Sequence, residues 1–276
     1  MDVKKICQKY DINPTKARGQ NFLIDNNIVK KIAESANLTE QDLVLEVGPG
    51  LGILTEQLLA GAGQVIAVEL DKKIVPIIQK EFAAFLKDGR LILEEADILR
   101  ADLRKFKLKD FEYKIVANLP YNITSKFLRQ FLELGPKPKE MVIMIQKEVA
   151  IRLMAKSGNM SLLSLSVQFF SDPKMLFTVG ANCFWPAPKV ESAVVFLKLK
   201  QNLPEIDVKE LFRLARFGFS AKRKQLHNNL ASGLKLKNEQ IKNIFQEFGW
   251  DEKIRAQDLS VEDWIRLAKA IQKLSK

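Results

Sequence analysis

Asn118-Leu119-Pro120-Tyr121 follows an apolar run, Lys114-Ile115-Val116-Ala117, that reads as a buried parallel strand. The strand would end in an amide, a proline and an aromatic ring. That set suits the alkylation of an amino group on a flat base. The exocyclic nitrogen of adenine is a poor nucleophile because its lone pair is delocalised into the ring. An Asn side-chain oxygen and a backbone carbonyl fixed by Pro120 can each accept one N–H. Holding both N–H groups out of the ring plane localises the lone pair, and Tyr121 can stack on a base that has left its helix.

A second constellation, Glu46-Val47-Gly48-Pro49-Gly50-Leu51-Gly52, joins an apolar strand to a helix. Glycines there let the backbone approach a ligand closely. The spacing is G-x-G-x-G, not the G-x-G-x-x-G of pyrophosphate binders, and Glu46 would crowd a pyrophosphate. A carboxylate at that point suits a positively charged ligand, such as the sulfonium and ammonium of S-adenosylmethionine. Glu69 ends the next strand and can accept both ribose hydroxyls of a nucleoside. Asp97, after a third strand, could contact an adenine amino group.

These residues need a common edge. Short apolar runs at Leu43–Val47, Val65–Glu69, Leu91–Glu94, Tyr113–Ala117, Met141–Ile145, Met175–Val179 and Ala193–Leu199 alternate with amphipathic stretches such as Lys72–Leu86 and Ile123–Leu134. The first five runs are continuous, as expected for strands covered on both faces. Gly135 stands where a helix-ending glycine would, with Pro136 behind it. Repeated strand–helix units predict an α/β fold with a doubly wound parallel sheet, whose ligands bind at the carboxyl ends of the strands. Gly48, Gly50, Glu69, Asp97 and Asn118 all fall at or near such ends. After Gln201-Asn202-Leu203-Pro204 the strand signal stops. Val208–Phe219, Lys222–Leu230, Asn238–Phe248 and Val261–Leu274 read as helices, with Ser260 and Asp263 placed to cap the last. Domains are expected at 1–201 and 202–276, the second small and all-α.

With 47% apolar and 28% charged residues the chain is globular rather than disordered. Its net charge of +11 points to a polyanion partner through phosphate neutralisation. No apolar run approaches the roughly 18 residues of a bilayer span, and no signal h-region is visible. Cys7 and Cys183 fit no metal or redox spacing, so no metal is expected and both read as free thiols in a reducing cytoplasm. Lys222-Arg223-Lys224, with Lys235, Lys237 and Lys242, forms the densest basic stretch. RNA phosphate contacts are expected there and at Lys147, while Lys4, Lys5, Lys9, Lys16 and Arg18 offer a basic arm over the cofactor. The single histidine, His227, reads as helix surface near RNA and not as a catalytic base.

With these pieces in order, the chain resembles the ribosomal RNA small-subunit adenine dimethyltransferase family almost end to end. The resemblance is carried by Lys16–Leu23, Glu46–Thr55, Asn118–Ser125, Gln146–Ala150, Phe184–Val194 and Arg223–Leu230, which match family motifs in order. It implies a class I S-adenosylmethionine-dependent methyltransferase, with a Rossmann-like, seven-stranded, mostly parallel sheet. It implies dimethylation of N6 on two adjacent adenosines in a hairpin loop near the 3′ end of 16S rRNA, in small-subunit biogenesis. Cofactor contacts would fall on Asn21, Leu23, Gly48, Glu69, Asp97 and Asn118, with Gly50 in the same glycine turn. Tyr121 and Phe184 would clasp the flipped adenine beside Asn118, Leu119 and Pro120. One departure is visible: Met160-Ser161 precedes Leu162-Leu163-Ser164 where many members carry an aromatic-glycine pair, which bears on the local loop and its RNA contacts.

The expected chemistry is direct in-line transfer without a covalent enzyme intermediate, since positioning and lone-pair localisation dominate and no strong base is needed. Two alternatives share parts of the pattern. One is a large-subunit rRNA adenine-N6 methyltransferase of the macrolide-resistance type. The other is a ribosome-biogenesis binding factor for which methylation is secondary. The partner expected is the small ribosomal subunit, with no membrane and no metal, and the chain is expected to be a cytoplasmic monomer.

Overall fold

The computed structural model describes residues 3–12, 14 and 21–274, without the Lys4 side chain. Lys16–Gln20 of the opening motif, and with them Lys16 and Arg18 of the basic arm, lie outside the described residues. The chain forms two compact units, Met1–Ala150 with Ser171–Gln201, and Ile151–Phe170 with Asn202–Lys276. The expected division ran unbroken to residue 201; the structure instead groups Ile151–Phe170 with the later helices.

In the first unit, α1 (Val3–Lys9), β1 (Phe22–Leu23) and α2 (Asn26–Ser35) precede the main sheet. The parallel strands are β2 (Leu43–Val47), β3 (Gln64–Glu69), β4 (Leu91–Glu95), β5 (Tyr113–Asn118) and β6 (Glu140–Gln146). Between them run α3 (Ile53–Gly61), α4 (Val75–Glu81), α5 (Ala83–Lys87) and α6 (Thr124–Arg129), and α7 (Lys147–Leu153) follows β6. After α8 (Leu162–Phe170), β7 (Ser171–Val179), β8 (Phe184–Trp185) and β9 (Ser192–Leu199) complete the unit. The seven-stranded sheet has the order β4-β3-β2-β5-β6-β9-β7. Its first five strands are parallel neighbours, and β9 runs antiparallel between β6 and β7.

The sequence pattern explains this order. Val44 and Leu45 of β2, Ile115, Val116 and Ala117 of β5, and Met141, Ile143 and Met144 of β6 are fully buried, so these strands need helices on both faces. β4 is the exception among the five: it is the sheet edge, Leu91 is buried and Ile92 is exposed. Sheet order reverses between β2 and β5, which makes their carboxyl ends the topological switch point where such sheets hold ligands. The turns leaving these two strands begin at Gly48 and at Leu119.

Two local details differ from expectation. The helix from Thr124 widens into a π turn at Gln130–Leu134, closed by the Gly135 N–H donating to the Gln130 carbonyl at 2.7 Å. Gly135 is therefore extended (φ −94°) and not left-handed, as suits a residue before proline. In the second unit the expected helix at Lys222 starts later. The described helices there are α8, α9 (Val208–Gly218), α10 (Leu226–Leu234), α11 (Asn238–Phe248) and α12 (Val261–Leu274). They close around the fully buried Trp264, whose ring lies 5.4 Å from that of Phe219. Ser260 and Asp263 form the expected reciprocal cap, Ser260 Oγ accepting the Asp263 N–H at 3.1 Å and Asp263 accepting the Ser260 N–H at 3.0 Å. Met160 is buried, and Ser161 is tied to Ser164 by reciprocal hydrogen bonds that start α8.

Candidate active site

A cavity of about 630 Å³ opens at the carboxyl edge of the first unit's sheet, within the volume range of small-molecule sites. One side is built by the β2 turn and the end of β3. Gly48 and Gly50 line it with Glu69 and the segment Leu70–Ile74. The other side is built by Asn118, Leu119, Pro120, Tyr121 and Asn122 after β5. A short antiparallel ribbon completes the wall: β1 pairs with β8 in the register Phe22↔Trp185 and Leu23↔Phe184, and Phe22 and Phe184 both face the cavity lining together with Asn21.

The glycine turn is shaped by backbone. Gly50 has φ +55°, and a Cβ there would stand 3.3 Å from the Phe22 ring. Only glycine takes that conformation without strain and leaves the surface flat. The turn is anchored at both ends: Gly48 N–H donates to the Val68 carbonyl (2.9 Å), and Gly50 N–H donates to the Glu69 carboxylate (3.1 Å). The other Glu69 oxygen accepts the Asp71 N–H at 2.8 Å. Glu69 is thus a buried carboxylate held in place by amides; burial raises its pKa, and these hydrogen bonds oppose the rise. Glu46 sits deeper. It is buried, accepts the Thr55 hydroxyl at 2.7 Å, and has its pKa pushed up to about 8 by burial, with the Glu69 charge adding to the rise.

The β5 turn is held by backbone hydrogen bonds and presents side chains to the cavity. Leu119 is buried and its N–H donates to the Met144 carbonyl (3.1 Å). The Pro120 carbonyl accepts the Ile123 N–H (3.2 Å), which closes the turn into α6. Tyr121 is half-buried, and its hydroxyl lies 2.7 Å from Ser192 Oγ. Burial pushes the Tyr121 phenol up, so it stays neutral.

Of the residues singled out in the sequence, the cavity brings together Asn21, Gly48, Gly50, Glu69, Asn118, Leu119, Pro120, Tyr121 and Phe184. Leu23 is buried behind it, on a small space of about 40 Å³ shared with Glu46, Gly48 and Asn118. Asp97 does not line the cavity; its carboxylate accepts the Leu99 N–H at 3.0 Å in the turn after β4. Lys147 begins α7 and pairs with Glu191 at 2.7 Å. Lys9 of the basic arm pairs with Glu81 at 2.8 Å. Sequence reasoning missed Leu70, which lines the cavity although 67% exposed, and missed Lys72 and Lys73 beside it. An exposed leucine just after the Glu69 strand end is the signal that could have found it, since a lone apolar side chain there has no core to join.

In the second unit, Lys222, Arg223 and Lys224 lie in an exposed turn before α10 and not on a helix. Asn229 fixes that turn by donating to the carbonyls of Gly218 (2.7 Å) and Ala221 (3.1 Å). His227 is buried, which corrects the surface reading. Its ring nitrogens lie 3.2 Å from Asn238 Oδ1 and 2.9 Å from Gln225 Oε1, so it joins the start of α10 to the start of α11. No cluster of metal-ligating side chains occurs among the described residues, and no described helix is long and apolar enough to cross a membrane.

Comparisons with known proteins agree with this architecture. A family model described as ribosomal RNA adenine dimethylase matches residues 13–273. The chain is 44% identical over 266 residues to a protein of Dehalococcoides mccartyi named ribosomal RNA small subunit methyltransferase A, covering 96% of this chain and 90% of the relative. A protein of the same name from Alkaliphilus oremlandii is 39% identical over 279 residues, covering 98% of this chain and 96% of the relative. Among solved structures, a dimethyladenosine transferase from Plasmodium falciparum superposes with a TM-score of 0.77 at 26% identity, covering 92% of this chain and 98% of that one. The 23S rRNA methyltransferase ErmE superposes with a TM-score of 0.71 at 23% identity, covering 91% of this chain and 100% of that one, and shares the fold.

Proposed function

The chain belongs to the ribosomal RNA adenine dimethylase family, and on that footing we propose that it dimethylates N6 of two adjacent adenosines in a hairpin loop near the 3′ end of 16S rRNA during small-subunit assembly. It is an S-adenosylmethionine-dependent methyltransferase of class I fold. The observation that carries the substrate reading is the alignment of an amide, a proline and an aromatic ring on one wall of a cavity whose other wall is a glycine turn anchored to a buried carboxylate.

The fit to the cofactor rests on that second wall. Gly50 leaves space that a Cβ would fill, and Glu69 offers a fixed carboxylate to ribose hydroxyls. Asn21, Gly48, Gly50, Glu69 and Asn118 would hold the cofactor, with Leu23 packing from behind, while Asp97, expected there from the sequence, stands in the β4 turn outside the cavity lining. S-adenosylmethionine supplies an electrophilic methyl group carried on a sulfonium.

The rest of the work falls to the chain. The Asn118 side-chain oxygen and a backbone carbonyl of the Leu119-Pro120 segment accept the two N–H groups of the target amine and localise its lone pair. Tyr121 and Phe184 hold the flipped base from its faces. The amine becomes acidic only as its new N–C bond forms, so its proton leaves to water without a dedicated base. After the first transfer the base must be held again with one N–H replaced by N–CH₃. The apolar wall of Phe22, Leu119 and Phe184 supports that step. Lys222, Arg223 and Lys224 on their fixed turn, with Lys147, are assigned to RNA phosphates. The chain is assigned to the cytoplasm as a monomer that uses no metal.

The test is transfer of labelled methyl to undermethylated small subunits and, in parallel, to large subunits. Label recovered as N6,N6-dimethyladenosine in small-subunit rRNA alone is the expected result. Label in large-subunit rRNA would move the chain to the resistance-type activity. Tight small-subunit binding with no label in either would make it an assembly factor.

A further inference from the structure

We infer that Ser192 is a positioning residue for methyl transfer, acting by fixing the ring of Tyr121 through the hydroxyl pair between them. The inference rests on the proposed role of Tyr121 against the target base.

Ser192 stands out on its own strand. β9 reads Ser192-Ala193-Val194-Val195, and every one of these positions is buried. A hydroxyl inside such a run costs desolvation unless it has a partner. Its partner is the Tyr121 hydroxyl at 2.7 Å, 71 residues away in sequence. Topology makes the meeting possible. Parallel strands bring their last residues to the ligand edge, whereas an antiparallel strand brings its first. Ser192 is the first residue of β9, opposite Gln146 on β6 and Val179 on β7. It therefore lies beyond the point where Asn118 of β5 pairs with Met144 of β6, level with the turn that carries Tyr121.

Both ends of the pair are held. Ladders on two sides fix Ser192, and the turn closed by Ile123 fixes the Tyr121 backbone. The remaining freedom is rotation of the Tyr121 side chain, and the hydroxyl pair removes it. With its hydroxyl paired to the buried Ser192, the ring is held in one orientation against a base. The Tyr121 phenol stays neutral through burial, so the pair persists across the working pH range. Small misplacements of an orienting group lower the rate of the chemical step more than they weaken binding.

The test is a double-mutant cycle with Ser192→Ala and Tyr121→Phe, each of which keeps the shape of its side chain. Steady-state transfer to undermethylated small subunits gives kcat and KM, single-turnover transfer gives the rate of the chemical step, and calorimetry with S-adenosylmethionine gives cofactor affinity. The expected result is a fall in kcat of about tenfold for either variant, an unchanged cofactor Kd, and a double variant no slower than the singles. Ser192→Thr, which restores a hydroxyl, is expected to recover part of the rate. Additive losses, or a cofactor Kd that weakens in step, would overturn the inference by making Ser192 a packing residue. Wild-type rates in Ser192→Ala would overturn it while leaving the small-subunit reading intact; a wild-type protein unable to methylate small subunits would overturn both.

Discussion

Two turns leave neighbouring strands of one sheet edge, and they are built in opposite ways. The turn after β2 presents backbone to the cavity. Its surface is flattened by Gly50, and its one side-chain anchor, Glu69, comes from the next strand. The turn after β5 presents side chains, an amide, a proline and a phenol tied to Ser192, and the second acceptor proposed for the amine is a backbone carbonyl among them. A backbone surface can lie close to a ligand's body and grip it without reading much detail. A side-chain surface can aim individual acceptors at individual N–H groups. Under the proposed function the difference separates holding the methyl donor from orienting the acceptor, which is the division that in-line transfer needs.

If that division is right, damage to each turn has its own kinetic signature. The largest effect is expected from Asn118→Ala, which removes an acceptor aimed at the amine from a residue also assigned to the cofactor: at saturating cofactor kcat falls about 10²–10³-fold, the range seen when one preorganised hydrogen-bond partner is lost, beside a smaller loss of cofactor affinity. Steady-state methylation of small subunits measures it, and a single-turnover run shows that the loss lies in the chemical step. Glu69→Ala acts on the other wall. Removing a charged acceptor costs about 1.5–3 kcal/mol, so cofactor affinity by calorimetry falls about tenfold to a hundredfold, with saturated kcat little changed. Gly50→Ala is smaller. A left-handed alanine costs on the order of 1 kcal/mol and its Cβ presses on Phe22, so cofactor Kd weakens several-fold. A kcat loss in either cofactor-wall variant that exceeds the Kd loss would break the comparison.

A last effect falls on stability rather than on kinetics and concerns pH. Glu46 has an ordinary pKa near 4.5 and one of about 8 in the fold, raised chiefly by burial. Between those values the folded chain keeps a proton that the unfolded chain releases, so stability declines as pH rises through this window and levels off above it. Below about 4.5 both states are protonated and the slope vanishes. Glu46→Gln keeps the Thr55 hydrogen bond in reach and removes the titration. Chemical denaturation of the two proteins at pH 5 and pH 8 should show the wild type losing more stability than the variant across that interval. An equal loss in both would place the titration elsewhere.

Much of this site was legible in the sequence because its signals are local. Each ligand residue sits next to its strand's last apolar residue, so finding β2, β3 and β5 by their β-branched runs also located Gly48, Glu69 and Asn118. What the sequence hid depends on pairing at long range. Ser192 is assigned to the cavity edge only once β9 is known to run antiparallel between β6 and β7. His227 looked like surface because its neighbours are polar; Asn238 and Gln225 supply partners that allow its burial. Lys222–Lys224 fit a helical pattern, yet the two hydrogen bonds from Asn229 hold them as a turn. The grouping of Ile151–Phe170 with the later helices follows from aromatic packing of Phe169 and Phe170 on Phe212, which no local period reveals.

The most direct test of the divided cavity is Tyr121→Ala, with cofactor affinity by calorimetry and single-turnover transfer to undermethylated small subunits measured on the same preparation. The account predicts a cofactor Kd within about twofold of wild type and transfer slowed by about a hundredfold or more, because the lost interaction belongs to orienting the base. Undiminished transfer, or a cofactor affinity that falls in proportion to the rate, would contradict it.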